Sequence, residues 1–407
     1  MRDASGMTYD CIVVGAGAAG VTASHALAEA GVEHLVLERG MVGNTWATQR
    51  WDAFRLNTPG SMNVLLGAVG PHEYSSRDET VELLTRRAEG LPVRTGTAVT
   101  AVRRVRDNLR VSTGDDELEA RTLVIASGPK NVPLRPAAAV NLASHLTSID
   151  ADHYRNPAAL PDGGVMVVGG GQSGGQIAED LVLGGRRVWW STSRIGRYRA
   201  QYRGRALLDW HVDAGWWATP PEALPDPAAM RTATPLIASN GRDLGIPKLG
   251  RMGVNLVGRL AEVDGTRLAF AGDVNDFVAF GDQVAVTLEK VADDYIAAAG
   301  IDAPSPEPDD GRGPVGAPDR PTLDLDREGI TTVIWCTGFG GDYAYLPAVG
   351  QDAYGFPVLD RSGAAADDPA IRFVGMPWQS TRASAILHGM PLDARRAVDG
   401  VTGLLAG

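Results

Sequence analysis

Cysteine is nearly absent from this chain of 407 residues, which contains only Cys11 and Cys336. The two lie far apart, each inside an apolar run, and no C-x-x-C pair exists, which disfavours the dithiol reductases as a function class. An unpaired cysteine behaves as a small hydrophobic residue. We therefore expect both thiols to be buried in the core.

Long apolar runs and excess positive charge are absent as well. No stretch of roughly twenty apolar residues could span a membrane, and the N-terminus leads into a strand without a signal-like segment. A formal net charge of -11 argues against nucleic acid or an anionic membrane as the main partner. These absences predict a cytoplasmic protein that binds small molecules, with neither a nucleic-acid nor a membrane partner.

Glycine, in contrast, is abundant and concentrated in motifs. The segment YDCIVVGAGAAGVTASHALAEAGVEHLVLERG predicts a strand over residues 9–14, a helix to about residue 30 and a second strand over residues 34–37. The first strand runs into a G-x-G-x-x-G loop formed by Gly15, Gly17 and Gly20. Such a βαβ unit binds a dinucleotide, because the glycines allow a tight turn, close approach of a pyrophosphate and close helix packing, while the helix N-terminus faces the phosphates.

The acid that ends the second strand indicates which nucleotide binds. Glu38 lies eighteen residues past Gly20, where a carboxylate accepts hydrogen bonds from ribose hydroxyls. An unphosphorylated adenosine, as in FAD or NAD, fits this site.

A second copy of the motif lacks this acid. GGVMVVGGGQSGGQIAEDLVLGGRRVWWSTSRIGR predicts a strand over residues 165–168, a helix to about residue 183 and a strand over residues 187–190. Its loop glycines are Gly169, Gly171 and Gly174, and the place of the acid is taken by Ser191, Ser193 and Arg194, with Arg197 and Arg199 close behind. Hydroxyls and a guanidinium bind a 2′-phosphate that a carboxylate would repel. NADPH is therefore favoured over NADH, with a solvated basic loop as the alternative.

Two dinucleotide folds of different preference imply two nucleotides, and FAD with NADPH is the economical pair. We predict an α/β protein with two Rossmann-type dinucleotide-binding domains, the NADPH domain being inserted into the FAD domain. The predicted FAD domain comprises residues 1–150 and 326–407, and the predicted NADPH domain comprises residues 151–325. Between the glycine motifs, VTAVRRVRDNLRVSTGDDELEARTLVIASGP predicts a three-stranded meander.

The stretch APSPEPDDGRGPVGAPDRP, residues 303–321, is rich in Pro, Gly and Asp and predicts a surface loop. Its composition offers too little apolar area to order itself. We expect residues 304–318 to be replaceable by a short linker without loss of flavin or turnover.

Together these residues resemble the flavin-containing monooxygenases, the class B flavoprotein monooxygenases that carry FAD and NADPH on two Rossmann-type domains. VVGAGAAG, GNTW, LVIASG, VVGGGQSGGQIAEDL, STSRIGR and VIWCTGF occur in that family's order over nearly the whole chain. The likeness is greatest to small bacterial members, some of which are linked to oxidation of arsenite or of auxin precursors. The resemblance implies an enzyme in which NADPH reduces the flavin, dioxygen adds at C4a, and the hydroperoxide oxygenates a small N-, S- or similar nucleophile.

The resemblance also implies the cofactor-binding residues, and it implies no metal ligand. In the first half of the chain they are Gly15, Gly17, Gly20, Glu38, Arg39, Gly43, Thr45, Trp46, Val99, Ser127 and Gly128. From the second glycine motif onward they are Gly169, Gly171, Gln172, Ser173, Gly174, Ser191, Ser193, Arg194, Thr337, Gly338 and Ser384.

Asn57 is the residue expected to act in catalysis. GNTWATQRWDAFRLNTP, residues 43–59, is too polar for a core strand and too aromatic for a solvated loop, and the resemblance wraps it around the flavin with Asn57 toward the N5/C4a edge. Baeyer–Villiger relatives have a ring-Pro-Gly triplet where this chain has Trp51, Asp52 and Ala53, and an aspartate in place of Asn57. Heteroatom oxygenation is therefore favoured over ketone insertion. A turn-forming role for Asn57 in LNTP stays open.

Other points stay open. His145 is the survivor of the linker pattern F-x-G-x-x-x-H-x-x-x-[YFW], and it serves either domain coupling or a structural cap. Trp378 is either core, which is favoured, or active-site wall, and a helix near Ser384 is expected to face the flavin N1/C2 side. Alternatives to heteroatom oxygenation are a Baeyer–Villiger monooxygenase and an NADPH oxidase or redox-sensing flavoprotein. The partners are a small-molecule substrate and dioxygen, and a homodimer is one option for assembly.

Overall fold

The computed structural model describes residues 8–67, 70–130, 132–231, 234–237, 239–316, 320–347, 349–352 and 355–407. Residues 1–7 of the predicted first domain and residues 317–319 of the predicted surface loop lie outside these ranges. No helix among the described residues is long and apolar enough to cross a membrane.

The described residues form both strands and helices, as the α/β prediction requires. The helices are α1 (Ala18–Glu29), α2 (Asn44–Thr48), α3 (Arg77–Arg87), α4 (Gln172–Leu183), α5 (Leu207–Asp213), α6 (Ile246–Arg251), α7 (Val274–Ala299) and α8 (Met390–Ala406). The strands are β1 (Thr8–Val14), β2 (His34–Leu37), β3 (Val93–Arg94), β4 (Val99–Val105), β5 (Asn108–Thr113), β6 (Glu117–Ile125), β7 (Val132–Pro133), β8 (Thr147–Asp150), β9 (Gly164–Val168), β10 (Val188–Ser191), β11 (Gln201–Tyr202), β12 (Arg205–Ala206), β13 (Asn255–Val257), β14 (Arg259–Asp264), β15 (Arg267–Ala271), β16 (Thr322–Asp324), β17 (Ile330–Trp335), β18 (Phe339–Gly340), β19 (Ala364–Ala365) and β20 (Asp368–Phe373).

Two sheets form the framework. The first has the order β19-β20-β6-β1-β2-β3, with β4 and β5 attached through β6, and the second has the order β13-β10-β9-β17-β8. Every pair in the second sheet is parallel, as are the central pairs of the first. The meander β4-β5-β6 is antiparallel, as the sequence predicts. The fold class is therefore confirmed.

The alternation of apolar side chains explains how the first sheet is covered on both faces. In β1, Ile12 and Val14 point into the core shared with the meander, whereas Cys11 and Val13 point into the core beneath α1 and α8. Successive residues of a strand face opposite sides, and a parallel sheet buries both. The prediction of two buried thiols is confirmed, because Cys11 is 0% exposed and Cys336 is 8% exposed.

The predicted domain limits divide the chain differently from the sheets. The predicted limits fall at residues 150 and 325, yet β8 and β17 both pair within the second sheet. The chain returns to the first sheet only at β19 and β20. The repeated pattern VIWCTGF, which the sequence places after the crossing, thus begins in β17, an inner strand of the second sheet between β9 and β8.

Residues 303–316, the described part of the predicted surface loop before residue 317, lack regular structure, but the expectation that the loop cannot order itself is wrong for this part. Two arginines that follow β10 anchor it: Arg197 pairs with Asp309 and Asp282, and Arg199 donates to the carbonyls of Glu307 (2.9 Å) and Pro308 (3.1 Å). Charged hydrogen bonds fix this loop where apolar burial cannot. Arg197 and Arg199 are consequently engaged in structural contacts rather than free for a phosphate.

Candidate functional site

A cavity of about 440 Å³ lies beside the first glycine loop. It is built where β1 ends and α1 begins, and its other walls come from the segments after β2 and β6 and from the start of α8. The predicted residues that line it are Gly15, Gly17, Glu38, Arg39, Thr45, Trp46, Val99, Ser127 and Gly128. Ligands of open α/β sheets bind at the carboxyl ends of the strands, which is where this cavity lies.

The glycine loop has the shape that a pyrophosphate needs. A Cβ added at Gly20 would lie 1.8 Å from the carbonyl oxygen of Gly15, so this glycine lets α1 pack against the loop. A Cβ added at Gly17 would meet no atom within 4 Å, and no side chain caps the N-terminus of α1 there. Open space beside uncapped N–H groups fits an anion at a helix N-terminus. The residues present therefore fit a dinucleotide phosphate.

Glu38 lies at the end of β2, where its carboxylate is 6% exposed and faces the loop. One oxygen accepts from the N–H of Ala16 (2.7 Å) and the other from the N–H of Gly40 (2.8 Å). These bonds fix an acceptor-only group at the place expected for the ribose hydroxyls.

The first half of the stretch from residue 43 to residue 59 forms one wall of the cavity, through Asn44, Thr45, Trp46 and Arg50. Gly43 has a left-handed backbone (φ 70°), and its N–H donates to the carbonyl of Ala16 (3.0 Å), which ties α2 to the glycine loop. Trp46 meets Phe54 edge-to-face with ring centroids 5.8 Å apart, and the guanidinium of Arg50 stacks over both rings. The rings thus pack on each other while polar groups face the cavity, as the mixed composition predicts.

Two cations that sequence reasoning did not single out also line this cavity. Burial lowers the pKa of Arg50, an effect that the charge of Asp152 opposes. Burial and the nearby charge of Arg50 lower the pKa of Lys130. Two positive charges pointing into one cavity favour an anionic ligand there. The only signal in the sequence was their closeness to GNTW and to LVIASGP.

Asn57 is half-buried in a bend and is not among the residues that line the cavity. The turn after it is held by a neighbouring pair, in which the side chains of Thr58 and Asn63 bond each other (2.8 Å) and Asn63 also donates to the carbonyl of Thr58 (2.8 Å). Asn63 is 0% exposed, so this amide shapes the turn. The catalytic role of Asn57 stays a prediction.

The second glycine loop repeats the architecture of the first. A Cβ at Gly174 would lie 2.0 Å from the carbonyl oxygen of Gly169, whereas one at Gly171 would meet nothing within 4 Å. The first turn of α4, which carries Gln172 and Ser173, starts at Gly171 without a side-chain cap. By the same physical argument, this helix N-terminus fits an anion.

The serines and arginines after β10 have different environments. Ser191 is 2% exposed, and its hydroxyl donates to the carbonyl of Gly258 (2.9 Å) and accepts from the N–H of Leu260 (3.1 Å). These hydrogen bonds make its role structural. Ser193 is half-buried beside the loop, and Arg194 is exposed with its guanidinium 4.1 Å from the ring centroid of Phe280. Ser193 and Arg194 are thus the accessible pair.

The remaining candidates lie around the two sites. The Thr337 hydroxyl bonds the carbonyl of Leu134, and Gly338 (φ 110°) follows it at the end of β17. His145 is exposed and contacts Asp326 (Nε2–Oδ1 2.9 Å), a pairing on the surface of the second domain.

The C-terminal segment corrects two expectations. The helix expected near Ser384 begins at Met390, because Ala385 has φ 70°, which a helix cannot accommodate. The hydroxyl of Ser384 accepts from the N–H groups of Ser380 and Thr381 (3.0 and 3.1 Å). Ala385 and Met390 line the cavity, so α8 presents its own N-terminus there. Trp378, for which a core position was favoured, is half-buried with φ 56°.

Comparison with known proteins agrees with this architecture. Residues 12–205 match the pyridine nucleotide-disulphide oxidoreductase family. The uncharacterized oxidoreductase CzcO of Bacillus subtilis is 25% identical over 407 residues, covering 97% of this chain and 99% of that protein. A flavin-containing monooxygenase from Stenotrophomonas maltophilia superposes with a TM-score of 0.66 at 20% identity, over 97% of this chain and 98% of that chain. An OTEMO complex with FAD and NADP superposes with a TM-score of 0.57 at 16% identity, over 98% and 86% of the two chains.

The fold and its two glycine loops define an oxidoreductase with two dinucleotide-binding domains. The chain has the fold of the class B flavoprotein monooxygenases, which confirms the resemblance indicated by its motifs. The predicted enzyme class and the predicted cofactor pair, FAD with NADPH, agree with these comparisons.

Proposed function

We propose that this chain is a FAD- and NADPH-dependent monooxygenase that transfers one oxygen atom of dioxygen to a small nucleophile through nitrogen, sulfur or a similar heteroatom. The observation that supports this most is the contrast between its two glycine loops. The first is followed by the buried carboxylate of Glu38, and the second by the exposed guanidinium of Arg194. These groups suit an unphosphorylated and a 2′-phosphorylated ribose respectively.

The residues of the cavity have roles that fit FAD. Bound FAD would supply the acceptance of a hydride from NADPH and the activation of dioxygen. Gly17 and the N-terminus of α1 would hold its pyrophosphate, Glu38 would accept from its adenosine ribose, and Arg50 and Lys130 would add positive charge to the cavity. Trp46 would help to exclude water, which protects the reaction from unproductive formation of hydrogen peroxide.

The cysteines argue for a small-molecule acceptor of the electrons. Burial raises the pKa of Cys11 to about 12 and raises the pKa of Cys336 further, so both remain thiols. Neither lines the cavity. The protein thus offers no reactive thiolate pair of its own, which fits dioxygen as the acceptor of the electrons.

The wall residues support oxygenation of a heteroatom rather than a ketone. Where a Baeyer–Villiger motif would have ring-Pro-Gly, Trp51 is 3% exposed and packs against Phe54 with ring centroids 5.0 Å apart. Asp52 accepts from Arg77 (2.8 Å) and from Asn156 (2.7 Å). These contacts give the wall a framework of its own. Asn57, half-buried beyond it, would place an amide that donates to an oxygen-bearing group.

The test is the balance of the reaction. NADPH, a proton, dioxygen and substrate should give NADP+, water and the singly oxygenated substrate. Purified protein would be assayed for NADPH consumption, hydrogen peroxide and product mass with a thioether, a tertiary amine and a ketone. Oxygenated thioether or amine in proportion to NADPH supports the proposal. Ester from the ketone would favour the Baeyer–Villiger alternative, and stoichiometric hydrogen peroxide with every compound would favour the NADPH oxidase.

A further inference from the structure

Three segments of the chain meet at an arginine outside the cavity. The segment that leads to α8 runs beside the turn after α5, where the N–H of Arg382 donates to the carbonyl of Thr219 (2.8 Å). The turn after residue 59 reaches the same region, since the hydroxyl of Ser61 donates to Asp209 of α5 (2.6 Å). One apolar cluster joins the three segments through Met62, Trp216, Trp217 and Ile386.

The guanidinium of Arg382 stacks on two indole rings. Its Cζ is 3.9 Å from the ring centroid of Trp216 and 4.7 Å from that of Trp378. We call this arrangement of Trp216, Arg382 and Trp378 the arginine stack. A guanidinium that stacks on rings with its faces keeps its N–H donors at its edge, in the fork geometry that a carboxylate matches.

The donors of this region lack acceptors. The Nε of Arg382 and the Nε1 of Trp217 are both buried, and neither has a hydrogen-bond partner. A buried donor without a partner is rare and destabilising in a folded protein. Burial lowers the pKa of Arg382, and among the described residues only the side chain of Tyr198 opposes this shift. No carboxylate among the described residues pairs with Arg382, so a bound anion would supply the missing negative charge.

A second stacked arginine shows how such a group is normally satisfied. Arg205 lies 4.3 Å from the ring centroid of Trp210, and it also pairs with Asp213 (2.8 Å). Arg382 has the stack without the carboxylate. The lack of a carboxylate partner distinguishes Arg382 from Arg205. It indicates that Arg382 binds a ligand and does not serve packing alone.

The backbone beside the arginine stack is strained. Trp378 has φ 56° and Ala385 has φ 70°, conformations that residues with a side chain adopt rarely. Strain of this kind persists where surrounding contacts impose it, often at ligand sites. Ala385 lines the cavity, so one strained segment runs from the arginine stack to the proposed flavin site.

We infer that the edge of Arg382 binds the carboxylate of the substrate, which makes the oxygenated molecule a small organic acid. The indole rings of Trp216 and Trp378 would contact its apolar or aromatic body. The oxygenation of this acid rests on the proposed function, whereas its binding does not. A phosphate of the dinucleotide is the other source of the same anionic chemistry.

The test is equilibrium binding to the oxidised, FAD-loaded protein, which requires no turnover. Phenylacetate and its neutral isostere phenylacetamide would be titrated by calorimetry, with inorganic phosphate and NADP+ as separate titrants. The variants are Arg382→Gln, which removes the charge, and Arg382→Lys, which keeps the charge without the fork. Arg205→Gln is the matched control, since it removes a stacked arginine that already has a carboxylate. Melting temperature and FAD content establish that each variant is folded.

The inference predicts that phenylacetate binds more tightly than phenylacetamide and that Arg382→Gln weakens phenylacetate by about ten- to a hundredfold. Arg382→Lys should weaken phenylacetate binding by a smaller factor. If Arg382→Gln does not fold, the Lys variant alone tests the inference. Arg205→Gln should bind like the parent protein. The inference is overturned by equal binding of acid and amide, by absence of acid binding, or by a loss confined to NADP+ or phosphate. Tight binding of phenylacetate, together with no oxygenated product from any thioether or amine in the turnover assay, would refute the proposed function and leave this inference standing.

Discussion

Removing the carboxylate of Asp309 should destabilise the second domain although it lies in a loop without regular structure. The side chains of Asp309 and Arg197 are 9% and 5% exposed, and they form a paired ion contact. Breaking a buried pair by deleting one partner costs about 3–5 kcal/mol, because the other charge stays buried. Arg197 keeps its bond to Asp282 (2.8 Å), so we expect the lower end for Asp309→Ala. For a unit of roughly 150–250 residues, about 3 kcal/mol lowers the melting temperature by about 6–12 °C.

The assay is thermal unfolding of FAD-loaded protein, with Asp310→Ala as the matched control. Asp310 is exposed and contributes its backbone carbonyl to Arg251, so its substitution should change stability by less than about 0.5 kcal/mol. Burial raises the pKa of Asp309, but the bonds from Arg197 outweigh it and lower the pKa overall. The stabilisation that the Asp309 carboxylate gives the folded state is therefore complete at neutral pH. It is lost as the pH falls through the folded-state pKa of Asp309, below about 4. Equal melting temperatures of the two variants at neutral pH would refute this role of the loop.

The other predictions concern ligands. Gly171→Ala should fold normally but weaken NADPH binding by about ten- to a hundredfold, because the added methyl meets no protein atom yet blocks a phosphate. Gly17→Ala should lose FAD instead. Titrations that show the opposite pattern would contradict the assignment of the two loops. Arg194→Ala should weaken NADPH by about ten- to a hundredfold and leave NADH nearly unchanged, and equal losses would remove the phosphate role. Asn57→Ala should keep FAD and the rate of flavin reduction but shift NADPH consumption from product to hydrogen peroxide; an unchanged product yield would make Asn57 a turn-former.

Local patterns predicted the parts of the fold that depend on local physics. The strand, glycine loop and helix around Gly15 and around Gly169 could be predicted because backbone sterics at these positions admit little else. The domain limits could not be predicted in this way. They depend on the pairing of β8 with β17, which joins residues nearly two hundred positions apart and has no local sequence pattern.

The candidate site shows the same division. Glu38 lies at the cavity as its position after β2 predicts, whereas the arginines after β10 are separated by their partners. Arg197 and Arg199 donate to carboxylate and carbonyl groups that are distant in sequence, whereas Arg194 stacks on an aromatic ring. Composition alone gives three similar residues, and only the fold distinguishes the structural arginines from the accessible one.

The central claim is that one atom of dioxygen enters the product on this protein while electrons from NADPH reduce the other atom to water. The most direct measurement is mass spectrometry of the product formed under heavy-isotope dioxygen with NADPH and an accepted thioether or amine. We predict one heavy oxygen atom in each product molecule and none when the label is supplied as water. Label that enters from water, or product that forms without dioxygen, would contradict the claim.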